Sequence, residues 1–184
     1  MSAPQEDGII RFGDMITLKH VATNRVLNST GGQQYEGGSN QQKVFTTEGS
    51  SGEESQWIVL PPPVTEEEPG YEVGFEDKFR LVHVATRAHL HSHNIESPVT
   101  GQQEVSCFGN DEQSDENDIW QVLQYDEDDE QYDNFWRVNQ PVIIKHVETG
   151  NLLHSHDIVL TEGQNEVTAY GGKDENDQWA ACSE

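Results

Sequence analysis

The chain has 184 residues, enough to bury a real core as one large domain or two small ones. Its 34 acidic against 10 basic side chains give a formal charge of −24, which repels phosphate backbones and anionic membrane faces and so excludes nucleic acid as a partner class. Apolar residues make up only 33%, yet they are spread along the whole chain, which argues for a folded domain rather than a disordered polyanion.

The N-terminal stretch Met1-Ser2-Ala3-Pro4-Gln5-Glu6-Asp7 carries neither the basic nor the apolar region of a signal peptide. No apolar run approaches the roughly 20 residues of a membrane span. Cys107 and Cys182 read as two free thiols rather than a disulfide framework. A cytoplasmic location without membrane insertion is therefore expected.

A first unit spans roughly residues 8–60. Its strand signal is Ile16-Thr17-Leu18-Lys19-His20-Val21, in which apolar and polar residues alternate with the period of a half-buried strand. Glycine-rich turns follow, among them Gly31-Gly32 and Gly37-Gly38-Ser39-Asn40, and Trp57 closes the unit. The stretch 61–70, Pro61-Pro62-Pro63-Val64-Thr65-Glu66-Glu67-Glu68-Pro69-Gly70, has the composition of an exposed connection. A second unit, about 71–124, repeats the strand as Phe79-Arg80-Leu81-Val82-His83-Val84 and closes on Trp120. The acidic join 125–133 could be imagined as a calcium loop, but it lacks the alternating ligands and turn glycine of one and reads as a solvated linker. A third unit, about 134–182, carries Val142-Ile143-Ile144-Lys145-His146-Val147 and closes on Trp179.

The three histidines lie 63 and 63 residues apart, and seven residues beyond each stands Leu27, Leu90 or Leu153. Eight residues before each stands Phe12, Phe75 or Val138, and Gln41-Gln42-Lys43-Val44, Gln102-Gln103-Glu104-Val105 and Gln164-Asn165-Glu166-Val167 also align. No stretch of helical length shows a capped apolar stripe. Three related β units, none able to bury its apolar face alone, can close into a barrel without exposed edges. The sequence therefore predicts a single all-β domain over 1–184, a β-trefoil of three pseudo-equivalent repeats.

Repeats two and three share a more specific pattern. Leu90-His91-Ser92-His93 precedes Gln102-Gln103-Glu104-Val105-Ser106 and Asn117-Asp118-Ile119-Trp120. Leu153-His154-Ser155-His156 precedes Gln164-Asn165-Glu166-Val167-Thr168-Ala169-Tyr170-Gly171 and Asn176-Asp177-Gln178-Trp179. From about residue 8 to the end the chain resembles MIR domains, found in protein O-mannosyltransferases, stromal-cell-derived-factor-2-like proteins and the inositol trisphosphate and ryanodine receptors. The mannosyltransferase and stromal-factor-like versions look closest. The resemblance implies a β-trefoil with no chemistry of its own. Repeat one departs from the pattern, with Leu27-Asn28-Ser29-Thr30 and a longer glycine-rich turn.

Positions common to all three units, such as His20, His83 and His146, are expected to serve the fold. Positions shared by only two are freer to act. These are His91, His93, Phe108, Asn117 and Asp118 in repeat two, and His154, His156, Tyr170, Asn176 and Asp177 in repeat three. Aromatic rings that stack on a sugar, beside amides and acids that pair with hydroxyls, suggest two quasi-equivalent saccharide sites. The competing possibility is that these histidines only hold strand and turn together. His91 and His93, two apart on a strand, could chelate a metal ion, but a full ligand set is missing and no metal is expected. Nucleophile elbow, P-loop, dinucleotide and His-Glu-x-x-His motifs are all absent, and Cys107 reads as a core residue. The expectation is a non-enzymatic binding protein without cofactor, taking a saccharide or glycoprotein. The alternative is an interaction or chaperone-associated module whose acidic surface steers a basic protein.

Overall fold

The computed structural model describes residues 2–126 and 132–183. Most of the acidic join falls at 127–131, outside the described residues.

Twelve strands account for the architecture. They are β1 (Met15–His20), β2 (Val26–Gln34), β3 (Gln42–Thr47), β4 (Gln56–Leu60), β5 (Lys78–His83), β6 (His89–Glu96), β7 (Gln103–Phe108), β8 (Trp120–Gln124), β9 (Pro141–His146), β10 (Leu152–Thr161), β11 (Gln164–Tyr170) and β12 (Gln178–Cys182). A short 3-10 turn precedes the last strand of each unit: Gly52–Ser55, Glu116–Asp118 and Glu175–Asp177. Strands β1, β4, β5, β8, β9 and β12 pair in a closed antiparallel ring. The hairpins β2–β3, β6–β7 and β10–β11 cap one end, and β3, β7 and β11 also pair with one another in a closed triangle. This is a β-trefoil, as the three units predict. Closure of both the ring and the cap leaves little unpaired edge.

The alternation in each first strand places Ile16 and Leu18, Phe79 and Leu81, and Val142 and Ile144 in the core. Trp57, Trp120 and Trp179 are fully buried, and each indole N–H donates to the carbonyl of its own unit's leucine, Leu27, Leu90 or Leu153. That bond explains why leucine and tryptophan recur as a pair: a buried indole N–H needs an acceptor. At the opposite end from the cap hairpins, the backbone N–H groups of Ile10, Trp136 and Val73 donate to the carbonyls of Trp136, Val73 and Ile10 in turn, each at 2.9 Å. This triangle, filled by three side chains of different shape, is not visible as a repeat in the sequence.

The shared histidines hold neighbouring units together. His20, His83 and His146 are wholly buried, and their Nε2–H groups donate to the carbonyls of Asn176, Glu54 and Asn117 at 2.8 to 3.0 Å. A carbonyl can only accept, so Nδ1 is left unprotonated and accepts from the hydroxyl of Thr23, Thr86 or Thr149. Burial lowers the pKa of all three, which keeps them neutral.

Candidate functional site

In repeat two, β6, the end of β7 and the turn Glu116–Asp118 bring four of the sequence-derived candidates together. His91 Nδ1 lies 2.8 Å from Asp118 Oδ1, and the imidazole packs against Phe108 with ring centroids 5.0 Å apart. The ring of His93 meets His91 edge-on at 4.9 Å, with His91 Nε2 and His93 Nδ1 2.9 Å apart. Asp118 is fixed by Ser114 Oγ and the Asp115 N–H, and the Asp115 carboxylate caps the same turn. Repeat three reproduces the arrangement. His154 Nδ1 lies 2.7 Å from Asp177 Oδ1, the Tyr170 ring is at 4.9 Å, and His156 stands edge-on at 5.2 Å.

The two clusters differ at the second histidine. His156 Nε2 is 2.9 Å from Glu166 Oε2, whereas His93 Nε2 is buried without a partner among the described residues. Burial drives the Glu166 carboxyl up, but bonds from His156, Ser97 and Thr100 outweigh it and hold the pKa below the ordinary value. Glu104, its counterpart, is raised by burial despite accepting from Ser39, and burial also lowers the pKa of His93.

Burial divides the candidates into two groups. His91, Asp118, His154 and Asp177 are at most 3% exposed, and their Nδ1 atoms and carboxylate oxygens are engaged with one another or with the turns. His93, Phe108, Asn117, His156, Tyr170 and Asn176 are half-buried and form the rims. His91, Asp115 and Asp118, and likewise His154, Asp174 and Asp177, place ligand-type atoms within 4.8 Å of one another. Those atoms already bond within the protein: Asp115 Oδ1 and Asp174 Oδ1 accept from the N–H groups of Asn117 and Asn176. The ring nitrogens of His91 and His93 bond each other instead of converging on a shared position. Repeat one has Asn28, Thr47 and Ser55 at the same three positions, but there Asn28 Nδ2 donates to Thr47 Oγ1 and Ser55 Oγ bonds within its own turn.

Asn117 leads to a feature that the sequence did not reveal. Its carbonyl accepts from His146, and its side chain lines a polar cleft of about 480 Å³ with Asn94, Gln103, Glu148, Thr149 and Asn151. The cleft lies between repeat two and the β9–β10 turn of repeat three. Gln103 is clamped in it: Nε2 donates to Ser92 Oγ at 2.7 Å and Thr149 Oγ1 at 3.1 Å, and Oε1 accepts from Asn151 Nδ2 at 2.8 Å. The side-chain amides of Asn94 and Asn117 have no hydrogen-bond partner among the described residues, which leaves them available to a ligand. One sequence signal could have found the cleft: five residues beyond the shared histidines stand Arg25, Ala88 and Asn151, three different chemistries at one repeat position.

The family model for the MIR domain matches residues 30–180. The chain belongs to the MIR domain family. A stromal cell-derived factor 2-like protein of Arabidopsis thaliana is 37% identical, over 98% of this chain and 82% of its own length. The crystal structure of an SDF2-like protein from the same plant superposes with a TM-score of 0.88, 37% identity and coverage of 95% and 94% of the two chains. A protein O-mannosyltransferase complex of S. cerevisiae, solved with its sugar donor, contains a chain that matches with a TM-score of 0.82 and 26% identity, over 98% of this chain and 26% of its own. The chain therefore matches most of the length of relatives similar to it in size and one segment of a much larger chain.

Proposed function

We propose that this MIR domain is a non-catalytic binding module that takes a neutral saccharide, free or on a glycoprotein, in the cleft between repeats two and three. The carrying observation is the lining itself. Three asparagines, a glutamine and a threonine offer both donors and acceptors, which is what vicinal hydroxyls require. Gln103 is held from both sides before any ligand arrives, so little ordering is needed on binding. The buried His91–Asp118 pair supports the site by joining β6, which carries Asn94, to the turn that carries Asn117. The buried His91 is thus assigned to positioning, and the contacts to the residues that line the cleft.

A glycan array followed by calorimetry tests this. One or more neutral oligosaccharides should bind, with an affinity that barely changes with salt. Asn117→Ala and Asn151→Ala should each weaken that binding about five- to tenfold, the loss of one or two hydrogen bonds. Repeat two already carries Ala88 at the position of Asn151, so the fold tolerates alanine there. Absence of binding to any neutral oligosaccharide at millimolar concentration would falsify the proposal.

A further inference from the structure

Glu148 also lines a second, larger groove of about 740 Å³. Its apolar lining is Pro62, Pro63, Val64, Ile119 and Val147. Around these stand Glu67, Glu76, Asp77, Asp115, Glu116 and Glu148, against one base, Lys78. Val64 is 96% exposed although acidic residues follow it closely in the 61–70 connection. A valine so placed contributes nothing to the core. The three preceding prolines restrict the backbone that leads into the bend at Pro63 and Val64, so covering the valine would cost little further ordering.

The charges point the same way. Among the described residues the carboxylates of Glu67, Glu76, Glu116 and Glu148 have no hydrogen-bond or ion-pair partner. Glu76 also holds a turn with φ of +73°, at the position where repeats one and three have Gly13 and Asn139. A left-handed backbone is strained for any residue that carries a side chain of this size. Glycine or asparagine would serve that turn better, and what glutamate adds there is a charge at the groove. Unneutralised acids around an apolar strip are complementary to an extended segment in which lysine or arginine alternates with aliphatic residues.

We propose that this groove is a docking site for such a basic, amphipathic protein segment, with its aliphatic side chains on Val64, Ile119 and Val147 and its cations between the carboxylates. The inference stands apart from saccharide binding in the neighbouring cleft, so the test uses residues that do not line that cleft. Fluorescein-labelled Lys-Val-Lys-Val-Lys-Val-Lys amide is titrated with the full chain at 0.1 M salt and followed by anisotropy. Glu67→Gln and Glu116→Gln should each weaken binding about two- to fivefold, and Val64→Ser about tenfold. Glu76→Gly should weaken binding while raising the urea midpoint of the free protein, a combination that mere unfolding cannot produce. Glu36→Gln and Glu48→Gln, which remove exposed acids outside the groove, should leave the affinity unchanged. Equal losses from these two controls, an unchanged affinity in Val64→Ser or Glu76→Gly, or no binding at millimolar peptide would each overturn the proposal.

Discussion

Asp118 illustrates how much a single buried carboxylate organises. It accepts from His91 on β6 and from Ser114 and the Asp115 N–H at the turn, so its removal strands several donors in the interior. Asp118→Ala should therefore lower unfolding stability by about 1–3 kcal/mol, read from urea denaturation followed by tryptophan fluorescence. Repeat one carries smaller residues, Asn28 and Ser55, at the same two positions. The double variant H91N/D118S should accordingly cost less than the sum of its single changes; simple additivity would show that the two residues act independently. At this scale the sequence was partly legible. That His91 and His93 share a strand face follows from their spacing, and their rings indeed touch. That Glu104 and Glu166 are buried does not follow, because groups that help to satisfy them, Ser39 for one and Ser97 and Thr100 for the other, sit in the hairpin of a different unit.

At the scale of elements, the units are tied by a repeating chain of bonds. A turn carbonyl accepts from a histidine, the histidine accepts from a threonine hydroxyl, and in two of the three junctions that hydroxyl accepts from a glutamine of the preceding unit, Gln42 or Gln103. Because burial depresses the folded pKa of His20, His83 and His146, the unfolded chain binds more protons below about pH 6.5. The stability from these neutral histidines is present above the unfolded pKa and is lost as the pH falls through the folded one. Lowering the pH also relieves the acidic surface's self-repulsion, so the clean observable is a difference. The stability gap between wild type and His83→Gln should shrink steadily from pH 7.5 to pH 5, and a constant gap would place the group's titration elsewhere. These histidines were legible because three copies fall in register. The junctions that they serve were not, since Gln103 and Asn151 are 48 positions apart and belong to different repeats.

At the scale of the whole molecule, the threefold scaffold and the charge act separately. The formal charge of −24 is not needed for the fold, which rests on the closed ring, the cap triangle and the three indole bonds. Raising salt from low to moderate concentration should raise the melting temperature by screening self-repulsion, weaken the basic peptide and leave a saccharide's affinity unchanged. Differential scanning calorimetry and the two titrations read all three. The barrel was legible at this scale because its units repeat, whereas the clefts were not. They arise where one unit meets the next, and there the residues differ from junction to junction.

Saccharide binding in the inter-repeat cleft is tested most directly by an NMR titration of isotopically labelled protein with the best neutral oligosaccharide from the array. Shifts should concentrate on the side-chain amides of Asn94, Gln103, Asn117 and Asn151 and on the backbone around Thr149. Shifts confined to another surface, or a spectrum unchanged at millimolar sugar, would contradict it.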